Sequence, residues 1–279
     1  MYTSVTQLTG DPLAEQIIAD EVEQEGTSRD DVWTHMDEAL AVMIDASQSY
    51  KADDRSGSGL SGGQAAKYAE AENLLGGPYI NAVIQEALKT AEANACMKRI
   101  VAAPTAGSCG VLPAVILPLL YEGTITRDAA VRGLFVAGAF GEVIANRATV
   151  AGASGGCQAE IGSASAMAAA ALVDIKGGSA DMCAHAAGMA LTNLLGLVCD
   201  PIAGLVEIPC VKRNVTGAVN AVSCANMALA GLPSRIPCDE VIDAMGEVGS
   251  EIISDLRETG IGGLAGTPSG KRIAEEVLK

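Results

Sequence analysis

Eight aromatic side chains, one Trp, two Phe and five Tyr, have to serve a chain of 279 residues that is nonetheless 49% hydrophobic. A core so short of aromatics must be filled by Ala, Val, Leu, Ile and Met, which favours closely packed helices over strands with their aromatic and β-branched side chains. The chain therefore reads as all-α. Its length allows one large domain or two small ones, and its apolar half is ample for a core, which excludes a disordered chain or a disulfide-stapled miniature. No composition shift marks a boundary, so residues 1–279 are expected to form a single multi-helix domain.

Apolar stretches behind N-terminal signals predict helices over about 78–97, 110–121, 126–146, 160–174, 179–198, 214–231, 238–259 and 270–278. Ser28-Arg-Asp-Asp31 opens the apolar run Val32, Met36, Leu40, Met43 and Ile44, a capping-box start for an amphipathic helix. Val101 to Ala103 and Leu205 to Ile208 are short β-branched runs that read equally as sheet or as extended connectors. Ile100–Tyr121, Met182–Cys199 and Asn214–Ser234 carry no formal charge over 22, 18 and 21 residues. The first is broken by three Pro, the second contains His185 and Asn193, and the third has three Asn, so these segments suit a bundle centre or subunit interface better than a membrane.

The net charge is −16, and residues 1–55 hold thirteen Asp or Glu against three Lys or Arg. This acidic N-terminal helical arm is expected to be solvated or to face a basic partner. An anionic excess of this size excludes nucleic acid as a partner and disfavours an anionic membrane surface. The opening residues have neither a basic stretch nor an apolar run, so a cytoplasmic location is expected. In a reducing compartment the eight Cys call for core packing, catalysis or metal ligation rather than disulfides.

Four Gly-rich loops, at 56–63, 104–110, 152–157 and 262–270, each precede a predicted helix. Backbone N–H groups turned by Gly toward a helix N-terminus suit a small anion such as a carboxylate, although each loop taken alone reads as a turn. Cys157 closes one such loop, Cys199 precedes Asp200-Pro201, and Cys210 precedes Lys212-Arg213. A thiol at the end of an element can point into a cavity, and nearby cations favour its thiolate. Cys96, Cys183 and Cys224 fall within apolar helical patterns, Cys238 starts a helix, and Cys109 is ambiguous. Without a C-x-x-C pair, spacing alone leaves both packing and ligation open.

The segments SGLSGG (58–63), APTAGSCG (103–110), GGCQAEIGSASAMAAAA (155–171) and CDPIAGLVEIPCVKRN (199–214) resemble, in this order, the separate α (catalytic) chain of the iron–sulfur-dependent L-serine dehydratases. The resemblance implies an all-helical catalytic domain with Gly-rich loops around a buried [4Fe-4S] cluster held by Cys157, Cys199 and Cys210. It implies an L-serine ammonia-lyase of amino-acid catabolism and gluconeogenesis. One iron without a Cys ligand acts as Lewis acid on the serine hydroxyl while a base removes the Cα proton, giving aminoacrylate and then pyruvate and ammonia. A separate β chain and a higher oligomer are implied with it.

Ser61, Gly62 and Gly63, Thr105 and Ser108, and Arg213 with Asn214 are the expected substrate-binding residues. Lys67 and His185 are the candidate catalytic groups. His185 precedes Cys199 by fourteen residues, about four helical turns, so a continuous helix would put both on one face. His35, on the acidic arm, is expected to be exposed. The single-chain relatives carry a C-terminal Cys that reaches the fourth iron, whereas this sequence ends Glu-Glu-Val-Leu-Lys, so the fourth iron is expected to be open or capped by another group. The alternatives are a cysteine desulfidase of the same cluster type and a non-catalytic metal-bound partner subunit.

Overall fold

The Ala run at 168–171 lies within α8 (Ser163–Ile175), where every residue from Ser163 to Val173 is buried. Side chains this small let four neighbours approach one helix at once: α5 (Val111–Tyr121), α6 (Arg127–Arg147), α9 (Ala180–Thr192) and α10 (Cys210–Leu229). Gly217 of α10 is one point of close approach. A Cβ there would lie 2.8 Å from Ile161 and 3.1 Å from Val111, while Ser165 Oγ donates to its carbonyl at 2.8 Å.

The computed structural model describes residues 1–279, and around this centre it sets the other helices: α1 (Leu13–Glu25), α2 (Arg29–Gln48), α3 (Gln64–Ala69), α4 (Gly77–Ala95), α7 (Gly152–Gly155), α11 (Cys238–Glu251) and α12 (Pro268–Val277). There is no strand. The 101–103 and 205–208 runs are connectors, and the one β-bridge pairs Cys199 with Arg257 in parallel. No helix is long and apolar enough to cross a membrane. The charge-free stretch at α5 is instead buried from Val111 to Leu119, and one core of 55 buried residues runs from Val5 to Met245. Phe140, on α6, is the largest of its fully buried side chains. Phe140→Ala should cost about 3–5 kcal/mol of stability, read as a lower urea midpoint with the slope unchanged.

Three boundaries differ by four residues or more from the sequence expectation, and one long helix falls outside it. The 179–198 helix stops at Thr192, because the chain turns through Gly196 at φ +83°. The 238–259 helix stops at Glu251, where Ile252 turns extended and the following residues fold back onto Cys199. α10 begins at Cys210 rather than at 214. α1 has no counterpart in the sequence reading: its N-cap is Pro12, without a capping side chain, so no start signal marks it. The acidic arm lies against the helical body. α1 packs on α6 and α2, and α2 packs on α4 and α6, through Ile17, Ile18, Leu40 and Met43, leaving most of the acids outside.

Candidate metal centre and active site

Three segments converge beside the N-terminal end of α8. Cys157 and Glu160 lie on the turn that enters it, a π-helical stretch at Gln158–Gly162; Cys199 follows the turn after α9; Cys210 opens α10. The ligand atoms of Cys157, Glu160 and Cys199 all lie within 4.8 Å of one another. Gly152 makes this possible, since a Cβ there would overlap Glu160 Oε2 and stand 3.2 Å from Cys199 Sγ. Cys210 is just outside the trio. Burial, then the charges of Cys157 and Glu160, push its thiol up to about 12. The three cysteines are buried and free.

The site is electrically uneven. The close Cys199 thiol, and after it the Arg213 guanidinium, hold Cys157 below the ordinary thiol range. The same contact and burial push Cys199 far up. Arg213 is fixed by an ion pair with Asp200 at 2.8 Å and by donation to the Val198 carbonyl at 2.9 Å. Burial raises Glu160 above the usual carboxylate range. Thr105 Oγ1 donates to Glu160 Oε1 at 2.8 Å, and none of the ion pairs of the chain includes Glu160.

Asn214 ties the second Gly loop to this centre. Its Oδ1 accepts from Gly110 N–H at 2.8 Å, and its Nδ2 donates to the carbonyls of Gly107 at 2.8 Å and Cys210 at 3.0 Å. Ser108, fully buried, stands 3.2 Å from Thr105 Oγ1. Thr105, Ser108, Arg213, Asn214 and the three cysteines are therefore brought into one network.

The first Gly loop is organised differently. The buried Glu92 carboxylate accepts from the N–H groups of Gly62, Gln64 and Ala65 at 3.1, 2.9 and 3.2 Å, and from Tyr50 Oη at 3.0 Å. The anion-binding donors expected there already hold an anion of the chain itself. Gly63, at φ +78°, completes the turn, and a Cβ there would press on Arg55 at 2.9 Å. Ser61 keeps a buried hydroxyl without a partner. Glu207 joins the loop to the Cys210 turn, accepting from Ser56 at 2.7 Å and Ser58 at 2.8 Å.

Two candidates stay outside the network. Lys67 is exposed on α3, whose other face meets α4. The helix carrying His185 ends at Thr192, so the fourteen-residue relation to Cys199 does not apply. Leu191, rather than His185, is the α9 residue that reaches the Gly162 turn, leaving His185 about 9 Å down the helix axis from it. His35 is exposed. Cys109 serves packing: its thiol faces the Thr90 carbonyl at 3.9 Å, and burial pushes it up to about 12. Glu160 was missed by reading Cys alone, although it stands three residues after Cys157, the helical spacing that puts two side chains on one face.

A family profile described as serine dehydratase alpha chain matches residues 9–265. The chain is 49% identical over 269 residues to the probable L-serine dehydratase, alpha chain, of Bacillus subtilis, covering 95% of this chain and 90% of that one. It is 59% identical over 195 residues to the corresponding protein of Latilactobacillus sakei, covering 70% and 93%. It is 42% identical over 274 residues to the L-serine dehydratase, alpha chain, of Peptoniphilus asaccharolyticus, covering 97% and 94%. The likeness spans all four motifs, and the chain belongs to the serine dehydratase alpha chain family.

Proposed function

We propose that the chain is the catalytic subunit of an iron–sulfur-dependent L-serine ammonia-lyase, converting L-serine to pyruvate and ammonia in the cytoplasm together with a separate beta chain in a larger oligomer. The observation that carries this reading is the meeting of Cys157 and Cys199 at the Glu160 carboxylate, which enters no ion pair, with Cys210 tied to the adjoining loop through Asn214. The names of the relatives, L-serine dehydratase and alpha chain, support the substrate and the partner.

The donor set fits a [4Fe-4S] cluster. Its three thiols are free, buried and soft, Cys157 is held toward its thiolate beside Arg213, and the fully buried Cys183 belongs to the body of α9. When bound through three Cys, such a cluster supplies Lewis-acid polarisation at the iron that lacks a Cys ligand, which a poor leaving group such as hydroxide requires.

The remaining work falls to the chain itself. Thr105 holds Glu160 Oε1, leaving Oε2 facing Cys199 at 3.9 Å. Glu160 Oε2 takes the Cα proton as the β-hydroxyl leaves, and returning that proton to the departing oxygen releases water and restores the carboxylate. The aminoacrylate tautomerises to an imine, which a water molecule hydrolyses to pyruvate and ammonia. Cys199 and Arg213 favour the thiolate form of Cys157, and Asn214 keeps the Thr105 loop against Cys210. This reading gives His185 and Lys67 no step: Lys67 is exposed on α3, and the helix that carries His185 ends before Cys199.

Anaerobic purification with iron and sulfide counted per chain, followed by pyruvate assay, tests the reading. Brown protein with about four irons per chain and turnover of L-serine is expected. Colourless zinc-containing protein would sink it, and turnover of L-cysteine in place of L-serine would move the assignment to a desulfidase.

A further inference from the structure

The substrate of the proposed reaction is a zwitterion, and its carboxylate needs a donor beside the cysteines. The donors expected from the sequence are already engaged. Gly62 N–H serves Glu92, Asn214 holds backbone groups, Thr105 serves Glu160, and Arg213 is bound to Asp200 and Val198. Among the side chains of that set, the Ser61 hydroxyl is buried without a partner.

One cation outside that set is unspent. Arg257 takes part in none of the ion pairs of the chain, and its Nε is buried without any hydrogen-bond partner. In a chain with 34 acids against 18 Lys and Arg, a guanidinium nitrogen left buried and unsatisfied is costly unless a ligand supplies the acceptor. Its backbone position is equally specific. Cys199 N–H donates to the Leu256 carbonyl at 2.9 Å, and Glu258 N–H donates to the Cys199 carbonyl at 2.7 Å, which makes Arg257 the parallel bridge partner of Cys199. Bridge partners send their side chains off the same side of the backbone, so Arg257 starts on the side from which Cys199 reaches the centre. Asp200 anchors the same C-terminal segment by accepting from Leu264 N–H at 2.8 Å, and a Cβ on Gly263 would collide with it.

We propose that Arg257 receives the α-carboxylate of the amino-acid substrate, through the planar fork of donors that suits a carboxylate. This deepens the lyase reading and rests on it for the identity of the anion. The segment 254–258 then has a defined task, since it brings the anion-binding group to the cysteine that it pairs with.

Arg257→Met and Arg257→Lys test the assignment in the anaerobically reconstituted holoenzyme. The readouts are iron per chain, KM and kcat for L-serine, and calorimetric binding of L-serine against L-serinamide. Iron should be retained in both variants. In Arg257→Met, KM should rise roughly 10- to 100-fold with kcat changing far less, as expected for losing hydrogen bonds to a charged group. The preference for serine over its amide should disappear, and Arg257→Lys should restore part of it. An unchanged preference in Arg257→Met overturns the assignment. Loss of iron from both variants overturns it as well, because Arg257 would then be a charge partner of the metal group. If the wild type yields no pyruvate yet still prefers the acid over the amide, the lyase reading falls while Arg257 is judged by the same preference. If the wild type shows no such preference, the assignment falls.

Discussion

Cys199→Ser should strip the chain of most of its iron and lower pyruvate formation by at least about 10³-fold, the rate equivalent of losing several kcal/mol of Lewis-acid stabilisation. A hydroxyl is a hard donor that stays protonated near neutral pH, so it replaces a thiolate poorly on iron. The position is also intolerant for structural reasons. Cys199 is 2% exposed, its thiol donates to Glu160 Oε2 at 3.9 Å beside Cys157, and its backbone carries the bridge to Arg257. The same substitution at Cys183, fully buried within α9, should cost stability while iron is retained. Iron and sulfide per chain, with visible absorbance of anaerobic protein, separate the two variants. Full iron in Cys199→Ser would remove Cys199 from the ligand set.

Glu160→Gln should lower kcat by about 10²- to 10⁴-fold, the usual range for removing a positioned general base, with iron content unchanged. The amide keeps the size of the side chain and can still accept from Thr105, so the loop at 104–110 should stay in place. What disappears is the group that faces Cys199 and can take a proton. A structural role alone would predict the reverse pattern, with loss of stability and modest loss of rate. Unchanged kcat in iron-replete Glu160→Gln would end the case for Glu160 as base. It would also reopen the search among groups that the fold leaves farther away, His185 included.

Gly152 shows why such a site is hard to see from residue types. Its functional content is the absence of a side chain, which lets Glu160 and Cys199 occupy one place from two separate segments. Glu92 makes a similar point in the opposite sense. The first Gly loop has the composition of an anion-binding turn, and it binds an anion, but the anion arrives from α4, twenty-seven to thirty residues along the chain. Composition does not distinguish an internal carboxylate from a substrate. α1 adds a local example, because a helix that starts at Pro12 without a capping side chain is marked only by its burial against α6.

The sequence by itself determined the class of fold and the order of most helices, because an apolar composition almost without aromatics packs well only as close helices, and because Ser and Thr caps mark many of their starts. It also carried the four motifs that place the chain in its family. The tertiary structure alone decided which groups meet. Thr192 ends the helix that would have aligned His185 with Cys199, the fold-back after Glu251 brings Arg257 to Cys199, and the π-helical turn at 158–162 presents Glu160. Those outcomes depend on turns and close approaches between residues as far apart as 199 and 257. Contacts over such separations are set by how whole helices pack, and local propensity does not encode them.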